Sequence, residues 1–166
     1  IALAGNPNCG KTTVFNLLTG THQHVGNYSG VTVERKTGIC RMGDVKIEII
    51  DLPGIYSLSS ATAEERVAFT ELMEGDIDLI LNIIDAGNAQ RNMYLTTQLS
   101  ELGIPMVIAL NMMDEARDRG MIFNIPILER FFGAPIVEAI GATGEGIGEL
   151  KRLLLQKLGS VKPEPP

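Results

Sequence analysis

The stretch Gly5-Asn6-Pro7-Asn8-Cys9-Gly10-Lys11-Thr12 decides the fold of this 166-residue chain. It fits the pattern GxxxxGK[ST], follows the apolar segment 1–4, and opens a helical pattern over 11–19. Glycines let the backbone curl around a polyphosphate with its N–H groups pointing inward, and the helix N-terminus adds positive potential. The stretch therefore predicts a phosphate-binding loop between a strand and a helix, and the alternative is a glycine-rich turn that arose by chance.

Lys11, Thr12 and Asp51 carry the chemistry expected around this loop. Lys11 is placed to reach the β- and γ-phosphates, and the Thr12 hydroxyl is a ligand for Mg²⁺. Asp51 begins Asp51-Leu52-Pro53-Gly54 at the end of a predicted strand, where it could hold Mg²⁺ through water, although an Asp before a turn is common. The expected nucleotide contacts are Gly5, Asn6, Pro7, Asn8, Cys9, Gly10, Lys11, Thr12 and Thr13, with Asp51, Pro53 and Gly54, whose N–H would face the γ-phosphate.

Strand and helix patterns alternate along the rest of the chain. This alternation predicts an α/β, doubly wound, mostly parallel sheet of six strands with helices on both faces, as in P-loop NTPases. The turn Met42-Gly43-Asp44 is too short for a crossover helix, so one strand should run antiparallel. The strand candidates are 1–4, 33–41, 45–51, 77–84, 105–111 and 135–140, and the helix candidates are 11–19, 62–74, 88–102, 124–132 and 146–158.

Two further loops complete the expected site. In Gly26-Asn27-Tyr28-Ser29-Gly30-Val31-Thr32, Thr32 is spaced to close over Mg²⁺ and the γ-phosphate, with Gly30 and Val31 beside it. Asn111-Met112-Met113-Asp114 ends another strand, where Asp114 could accept hydrogen bonds from the N1–H and 2-amino group of guanine. Gly141-Ala142 could place the Ala142 N–H near the guanine O6. Together these elements predict a guanine-nucleotide site.

Composition limits the remaining possibilities. The net charge of −6 argues against direct nucleic-acid binding, and no apolar run approaches the roughly 20 residues that span a bilayer. Two cysteines favour a reduced, cytosolic setting. The chain begins within an apolar segment and without Met, so we expect it to be part of a longer protein. We expect a domain over 1–158 and a proline-rich tail or linker over 159–166.

These motifs resemble those of GTPases with a Ras-like G domain, and more narrowly the N-terminal G domains of the bacterial ferrous iron transport protein B (FeoB) family. The narrower resemblance covers nearly the whole chain. It rests on the segments 5–13, 25–36, 51–58, 88–95 and 111–114, of which Thr32-Val33-Glu34-Arg35-Lys36 looks specific to the family.

The resemblance implies a GTP-hydrolysing domain on the cytoplasmic face of the bacterial inner membrane. Its partners would be GTP or GDP and the helical and transmembrane domains of a polytopic Fe²⁺ transporter, with homo-oligomers a further possibility. It also implies K⁺ dependence, with Asn8 as side-chain ligand and the carbonyls of Gly26 and Tyr28 completing the site. Lys11, Thr32, Gly54 and Asn8 would then be the catalytic residues, and Thr12, Thr32 and Asp51 the Mg²⁺ ligands.

Three departures from common GTPase patterns modify these expectations. Ile55 stands where Ras-like GTPases have a water-orienting Gln, so intrinsic turnover should be slow. Met112 replaces a frequent Lys, and Gly141 replaces a Ser whose hydroxyl braces the base loop, so GDP release should be fast. Two alternatives stay open: a ribosome- or RNA-associated GTPase, and a switch that binds GTP with little turnover.

Three other features need separate interpretations. Cys9 at a helix N-terminus should have a lowered thiol pKa, although a plain small-residue role is favoured over a redox role. His22 and His24 are interpreted as part of a solvated loop and not as a metal pair. The helical pattern over 124–132 predicts that Ile127, Leu128, Phe131 and Phe132 face the core.

Overall fold

Strands and helices alternate along the chain in the computed structural model, which describes residues 1–160. A 3-10 turn, Ala86–Asn88, precedes α3. The elements are β1 (Ala2–Gly5), α1 (Lys11–Thr19), β2 (Gln23–Asn27), β3 (Glu34–Met42), β4 (Val45–Asp51), α2 (Ala63–Glu74), β5 (Ile80–Asp85), α3 (Ala89–Ser100), β6 (Met106–Asn111), α4 (Met113–Asp118), α5 (Ile125–Phe132), β7 (Ile136–Glu138) and α6 (Ile147–Ser160).

The strands form one sheet in the order β2-β3-β4-β1-β5-β6-β7. β1 is parallel to β4 and β5, and β6 is parallel to β5 and β7, whereas β3 is antiparallel to both its neighbours. The register sets Gly5 opposite Ile83, and Asp85 opposite Asn111. The carboxyl ends of β1, β4, β5 and β6 therefore meet at one edge of the sheet, where ligands bind in folds of this kind.

The sheet has seven strands, so the prediction of six was wrong by one. The single antiparallel strand was predicted correctly and is β3. The missed strand is β2, which lies at the edge of the sheet and is almost entirely exposed. An edge strand without a buried face has no apolar alternation, so only its backbone pairing with β3 defines it.

Two apolar cores lie on the two faces of the sheet. One packs beneath α1 and α6 around the fully buried Phe15, and the other beneath α2, α3, α4 and α5 around Leu95 and Leu99. The central strands β1, β5 and β6 are buried along their whole length, as expected for parallel strands covered by helices on both faces. This layering keeps the edge that carries the site rigid.

α5 buries less of its apolar face than its pattern predicts. Phe132 is buried and Leu128 packs against the core, but Ile127 is 53% exposed and Phe131 is 72% exposed. α5 leads into the three-residue strand β7 at the margin of the sheet, so the core beneath it is narrow. The prediction that Ile127 and Phe131 face the core was therefore wrong.

α6 continues to Ser160, two residues beyond the boundary expected at 158. The first two positions of the expected tail are thus helical, and positions 161–166 lie outside the described residues. Within the described part, no helix combines the length and the apolar character that crossing a lipid bilayer requires.

Candidate functional site

The phosphate-binding loop predicted from the sequence connects β1 to α1. Asn8 and Gly10 both have positive φ, at 64° and 86°, so the backbone reverses twice before the helix begins. A Cβ at Gly5 would lie 2.7 Å from the Cys9 sulfur and 2.8 Å from the Ile83 carbonyl oxygen. Glycine at position 5 therefore lets the loop pack directly onto β5.

A cleft of about 540 Å³ opens above this loop. Its wall contains the side chain of Asn6, which is 3% exposed and whose Oδ1 has no hydrogen-bond partner among the described residues. A buried oxygen without a partner is costly unless a ligand or solvent satisfies it. The cleft thus combines a glycine cradle with the Lys11 and Thr12 side chains, which can donate to phosphate, and with an acceptor, Asn6 Oδ1, that needs a donor from a ligand or solvent. The lining residues are Asn6, Pro7, Asn8, Gly10, Lys11, Thr12, Gly54 and Met112.

Lys11, which lines the cleft, forms an ion pair with Asp51, from Nζ to Oδ1. Their side chains are 11% and 5% exposed, so water screens the pair weakly. The sequence predicted separate partners for the two groups, phosphate for Lys11 and hydrated Mg²⁺ for Asp51. In the structure each group neutralises the other, and binding of phosphate would have to separate them.

Asn111 holds two loops of the site together. Its Nδ2 donates to the Cys9 carbonyl at 3.1 Å, and its Oδ1 accepts from the Gly141 N–H at 2.9 Å. Asn111 is 2% exposed, so neither bond competes with bulk water. A Cβ at Gly141 would lie 3.3 Å from Thr13 Cγ2, which brings a further predicted residue to the same junction. Asn111 was predicted as a nucleotide contact, and its role in joining the loops was not foreseen.

The residues predicted to read the base lie beside this junction. Met112 lines the cleft and has a φ of 60°, an unusual conformation for a residue with a side chain. Asp114 is exposed in the first turn of α4, and Ala142 is exposed just after Gly141. This arrangement leaves the Asp114 carboxylate open to a planar ligand.

The 26–32 loop is held away from the cleft lining by its own turn. The Tyr28 carbonyl accepts from the Val31 N–H at 3.3 Å, and the Tyr28 N–H donates to Val33 O at 3.0 Å. Thr32 is exposed, Gly30 has a φ of 76°, and Gly26 lies within β2. The structure therefore does not bring Gly26, Tyr28, Gly30, Val31 or Thr32 into the cleft, and contact with a ligand requires this loop to move.

The segment after β4 is fixed at one end by backbone contacts. The Ile55 N–H donates to the Gly5 carbonyl at 3.1 Å, and a Cβ at Gly54 would lie 3.2 Å from the Pro7 backbone. Ile55 is 3% exposed and packs into the core. Its side chain is thus unavailable to orient water, which agrees with the chemical argument made for this position. Pro53 is half-buried beside it.

Cys9 behaves differently from the expectation. The thiol is 1% exposed, and burial raises its pKa to about 11, although hydrogen bonding and charge from Lys11 act in the opposite direction. The expected lowering of this pKa was therefore wrong, because the sulfur packs inward against Gly5 and not outward at the helix end. At neutral pH the group is a thiol with little nucleophilic character.

His22 and His24 are both exposed near the edge strand β2. Among residues 1–160, no group of three or more His, Cys, Asp or Glu side chains is arranged to hold a metal ion. The structure therefore adds no third ligand to this histidine pair.

Glu65 organises the chain between residue 59 and α2. Its N–H donates to Thr62 Oγ1 at 3.1 Å, so Thr62 caps the start of α2. The Glu65 carboxylate also accepts from the Ser59 hydroxyl at 2.6 Å and from the Ala61 N–H at 3.0 Å. The bond from Ser59, with help from the backbone N–H groups of Ala61 and Thr62, lowers the pKa of Glu65 below its usual 4.5.

We expect replacement of Glu65 by Gln to weaken the acid sensitivity of folding. A carboxyl whose pKa is lower in the folded state adds stability that is complete above its unfolded pKa and is lost as the pH falls through the folded value. Urea unfolding from about pH 6 to about pH 3 should therefore show a smaller loss of unfolding free energy in Glu65→Gln than in the parent chain. Identical pH profiles would contradict this assignment.

The family described as Ferrous iron transport protein B matches residues 1–154 of the chain. The Fe(2+) transport protein A/Fe(2+) transporter FeoB fusion protein of Porphyromonas gingivalis is 56% identical over 151 residues, covering 90% of this chain and 18% of that protein. The Fe(2+) transporter FeoB of Escherichia coli is 47% identical over 155 residues, covering 91% and 20% respectively. The chain spans about a fifth of the length of these relatives.

Solved structures show the same architecture. The cytosolic domain of the T. maritima FeoB iron transporter in its GMPPNP form has a TM-score of 0.92 at 39% identity, covering 97% of this chain and 64% of that one. The fold is that of a P-loop NTPase of the Ras-like G-domain type, with the additional strand β2 described above.

Proposed function

The chain belongs to the ferrous iron transport protein B family, and on that premise we propose that it is the GTP-binding and GTP-hydrolysing switch domain of a ferrous iron transporter. The observation that carries this proposal is the glycine cradle beneath a cleft lined by Lys11, whose ammonium pairs with Asp51 at the end of β4. Family membership favours this function over a ribosome- or RNA-associated GTPase. The domain would act at the cytoplasmic face of the bacterial inner membrane, with helical and transmembrane domains of the same transporter as partners and homo-oligomers as a further possibility.

The substrate would be held at three points. The N–H groups of the loop from Gly5 to Thr13 and the Lys11 ammonium bind the phosphates, after Lys11 leaves Asp51. The base lies against Met112, and Asp114 accepts from its N1–H and 2-amino group. The Ala142 N–H donates to the base carbonyl. ATP presents no matching donors to Asp114, so the site should prefer GTP.

Two cations suit the residues around the γ-phosphate. Thr12, Thr32 and Asp51 would hold Mg²⁺, with Asp51 acting through water, and Asn8 with the carbonyls of Gly26 and Tyr28 would hold K⁺. The exposed Asn8 at the loop apex offers an amide oxygen, a ligand type suited to hard cations. Both ions would offset negative charge that develops on the phosphates during hydrolysis.

Hydrolysis in this chain would depend on backbone groups and loop closure. Because Ile55 is buried, the Gly54 N–H is the group of this segment left to face the γ-phosphate. Thr32 would reach the site only when the 26–32 loop gives up its Tyr28–Val31 turn. Both features favour slow intrinsic turnover, and the missing hydroxyl at Gly141 favours fast GDP release.

We expect GTP turnover to be several-fold faster in KCl than in NaCl at equal ionic strength, with phosphate release as the measurement. The Asn8→Ala variant should lose this difference while still binding GDP, because the Asn8 side chain supplies a cation ligand, whereas its phosphate contact is the backbone N–H, which Ala keeps. Asn16→Ala, on the exposed side of α1, is the matched control and should keep the full response.

ATP in place of GTP tests base preference in the same assay. GTP binding without phosphate release in either salt would contradict the hydrolysis proposal and support a binding-only switch. Equal turnover of GTP and ATP would contradict the role given to Asp114.

A further inference from the structure

A chain of hydrogen-bonded polar side chains runs through the core beneath the site, outside the residues that contact nucleotide in the proposed function. Asn82 is 1% exposed, Thr96 0%, Asn92 5% and Asp85 9%. Burying so many polar groups is unfavourable unless their hydrogen bonds are satisfied, and these are. We call the set the polar chain: Asn82, Asp85, Asn88, Asn92 and Thr96.

One end of the polar chain holds the strand that leads into the phosphate loop. Asn82 Nδ2 donates to the Ala4 carbonyl at 3.1 Å, and the Thr96 hydroxyl donates to Asn82 Oδ1 at 2.6 Å. Thr96 lies one turn beyond Asn92 on α3. Asn92 Oδ1 accepts from the Asp85 N–H at 3.2 Å. β1 and the end of β5 are thus fastened to the same helix.

The other end of the polar chain fixes the turn around Gly87. Asp85 Oδ1 accepts from the Gly87 N–H at 2.9 Å, and its Oδ2 accepts from Asn88 Nδ2 at 2.8 Å. Asn92 Nδ2 donates to the Asn88 carbonyl at 2.9 Å. The turn therefore has one conformation, set by a carboxylate and two amides.

This turn is a contact surface for α4. Arg119, at the end of α4, donates from Nη1 to the Gly87 carbonyl at 3.1 Å. A Cβ at Gly87 would lie 3.4 Å from that same Nη1 and 3.7 Å from Glu115 Oε2. The turn at Gly87 therefore accepts a hydrogen bond from Arg119 and lies close to the Glu115 side chain, which come from opposite ends of α4.

α4 needs external support because it has only six residues. Its inner side is held by the buried Met113 and Ala116 and by a bond from the Met113 N–H to the Ala139 carbonyl at 3.3 Å. Its outer side carries the exposed Asp114. The hydrogen bond from Arg119 to the Gly87 carbonyl adds a contact at the carboxyl end of α4, where these buried contacts do not reach.

We propose that Asp85, Asn88 and Arg119 are positioning residues for guanine recognition, because together they fix α4 and its Asp114 against the strand that leads into the phosphate loop. This inference rests on the proposed function. The three residues do not contact the base and influence its recognition through the position of Asp114. Displacing Asp114 by a fraction of an ångström weakens its bond to the 2-amino group and leaves the phosphate contacts intact.

The test compares affinity for GDP with affinity for inosine diphosphate, which lacks the 2-amino group. Asn88→Ala and Arg119→Met remove side-chain bonds at exposed or half-exposed positions and should each lower the ratio of GDP to inosine diphosphate affinity about threefold. Since both act through the same turn, the double variant should also lower it about threefold and not about ninefold. Gln90→Ala, an exposed neighbour on α3, is the control and should leave the ratio unchanged.

Asp114→Ala serves as the benchmark and should bring the ratio to about one. An unchanged ratio in Asp114→Ala would overturn the base-reading function and the positioning proposal with it. A lowered ratio in Asp114→Ala alone would overturn only the positioning proposal. So would equal losses of affinity for both nucleotides in Asn88→Ala and Arg119→Met, because a purely structural effect does not distinguish the bases.

Discussion

Replacing Lys11 by Met should reduce GTP turnover at saturating substrate by at least about a hundredfold. Met keeps most of the apolar stem of Lys and removes the charge. Lys11 is the cation that projects into the cleft beside Gly10 and Thr12, and in the proposed mechanism it neutralises charge on the β- and γ-phosphates. Phosphate release measured in KCl and Mg²⁺ checks this prediction, and turnover within tenfold of the parent chain would contradict it.

The same substitution should also destabilise the nucleotide-free protein. It leaves Asp51, whose side chain is 5% exposed, without its cation, and removing one partner of a buried ion pair costs about 3 kcal/mol. Adding Asp51→Asn removes the stranded charge, so the double variant should regain most of the unfolding free energy and none of the turnover. Urea unfolding of the single and double variants separates this effect on stability from the effect on catalysis.

Replacing Gly10 by Ala should lower guanine-nucleotide affinity by at least about a hundredfold, because it disturbs the loop in two ways. The φ of 86° strains any residue with a Cβ, at about 1–2 kcal/mol. The added Cβ would also overlap the Asn111 side-chain amide. Asn111 would then have to release the Cys9 carbonyl or the Gly141 N–H, and so loosen the phosphate loop and the base loop together.

Gly20→Ala is the matched control for this prediction. Gly20 also has a positive φ, at 60°, but a Cβ there would meet nothing within 4 Å. The Gly20→Ala variant should lose unfolding free energy of the order of the backbone strain alone. Its GDP affinity should stay within about twofold of that of the parent chain. Titration of a fluorescent guanine nucleotide measures both variants, and equal losses of affinity would show that strain, and not the collision with Asn111, explains the effect.

The parts of the fold that could be predicted are those in which local chemistry and tertiary packing agree. The glycine-rich loop and the hairpin turn at Gly43 each require a particular backbone shape, and each lies where the sequence predicts it. The buried strands read as largely apolar runs for the same reason, with Asn82 inside β5 as the exception. These features are specified within a few neighbouring residues.

The parts that could not be predicted depend on what lies across the fold. β2 is a strand only because β3 pairs with it, and Phe131 is exposed only because the sheet ends beneath α5. The thiol pKa of Cys9 is set by burial against Gly5 and β5, which outweighs its place at a helix N-terminus. α4 has too few residues to show a helical period.

The candidate site divides in the same way. Lys11, Thr12 and Gly54 were predicted by motif, and they line one cleft. Lys11 pairs with Asp51, and Asn111 forms hydrogen bonds to Cys9 and Gly141. All of these partners are far apart in sequence, so no spacing pattern predicts them. Motifs therefore predict which residues line the cleft, whereas the partners that these side chains have within the protein require the structure.

The turn that occupies the Tyr28 carbonyl has a thermodynamic consequence for the proposed cation site. While the Val31 N–H donates to that carbonyl, the bond uses one of its two lone pairs and lowers its capacity as a cation ligand, so K⁺ would favour the form of the loop in which this turn is open. Linkage is reciprocal: whatever factor GTP adds to the affinity for K⁺, K⁺ adds to the affinity for GTP. The potassium concentration would then set the fraction of molecules in which the 26–32 loop is closed over the cleft at a given GTP concentration. The ion would act as an effector and would also offset charge on the phosphates.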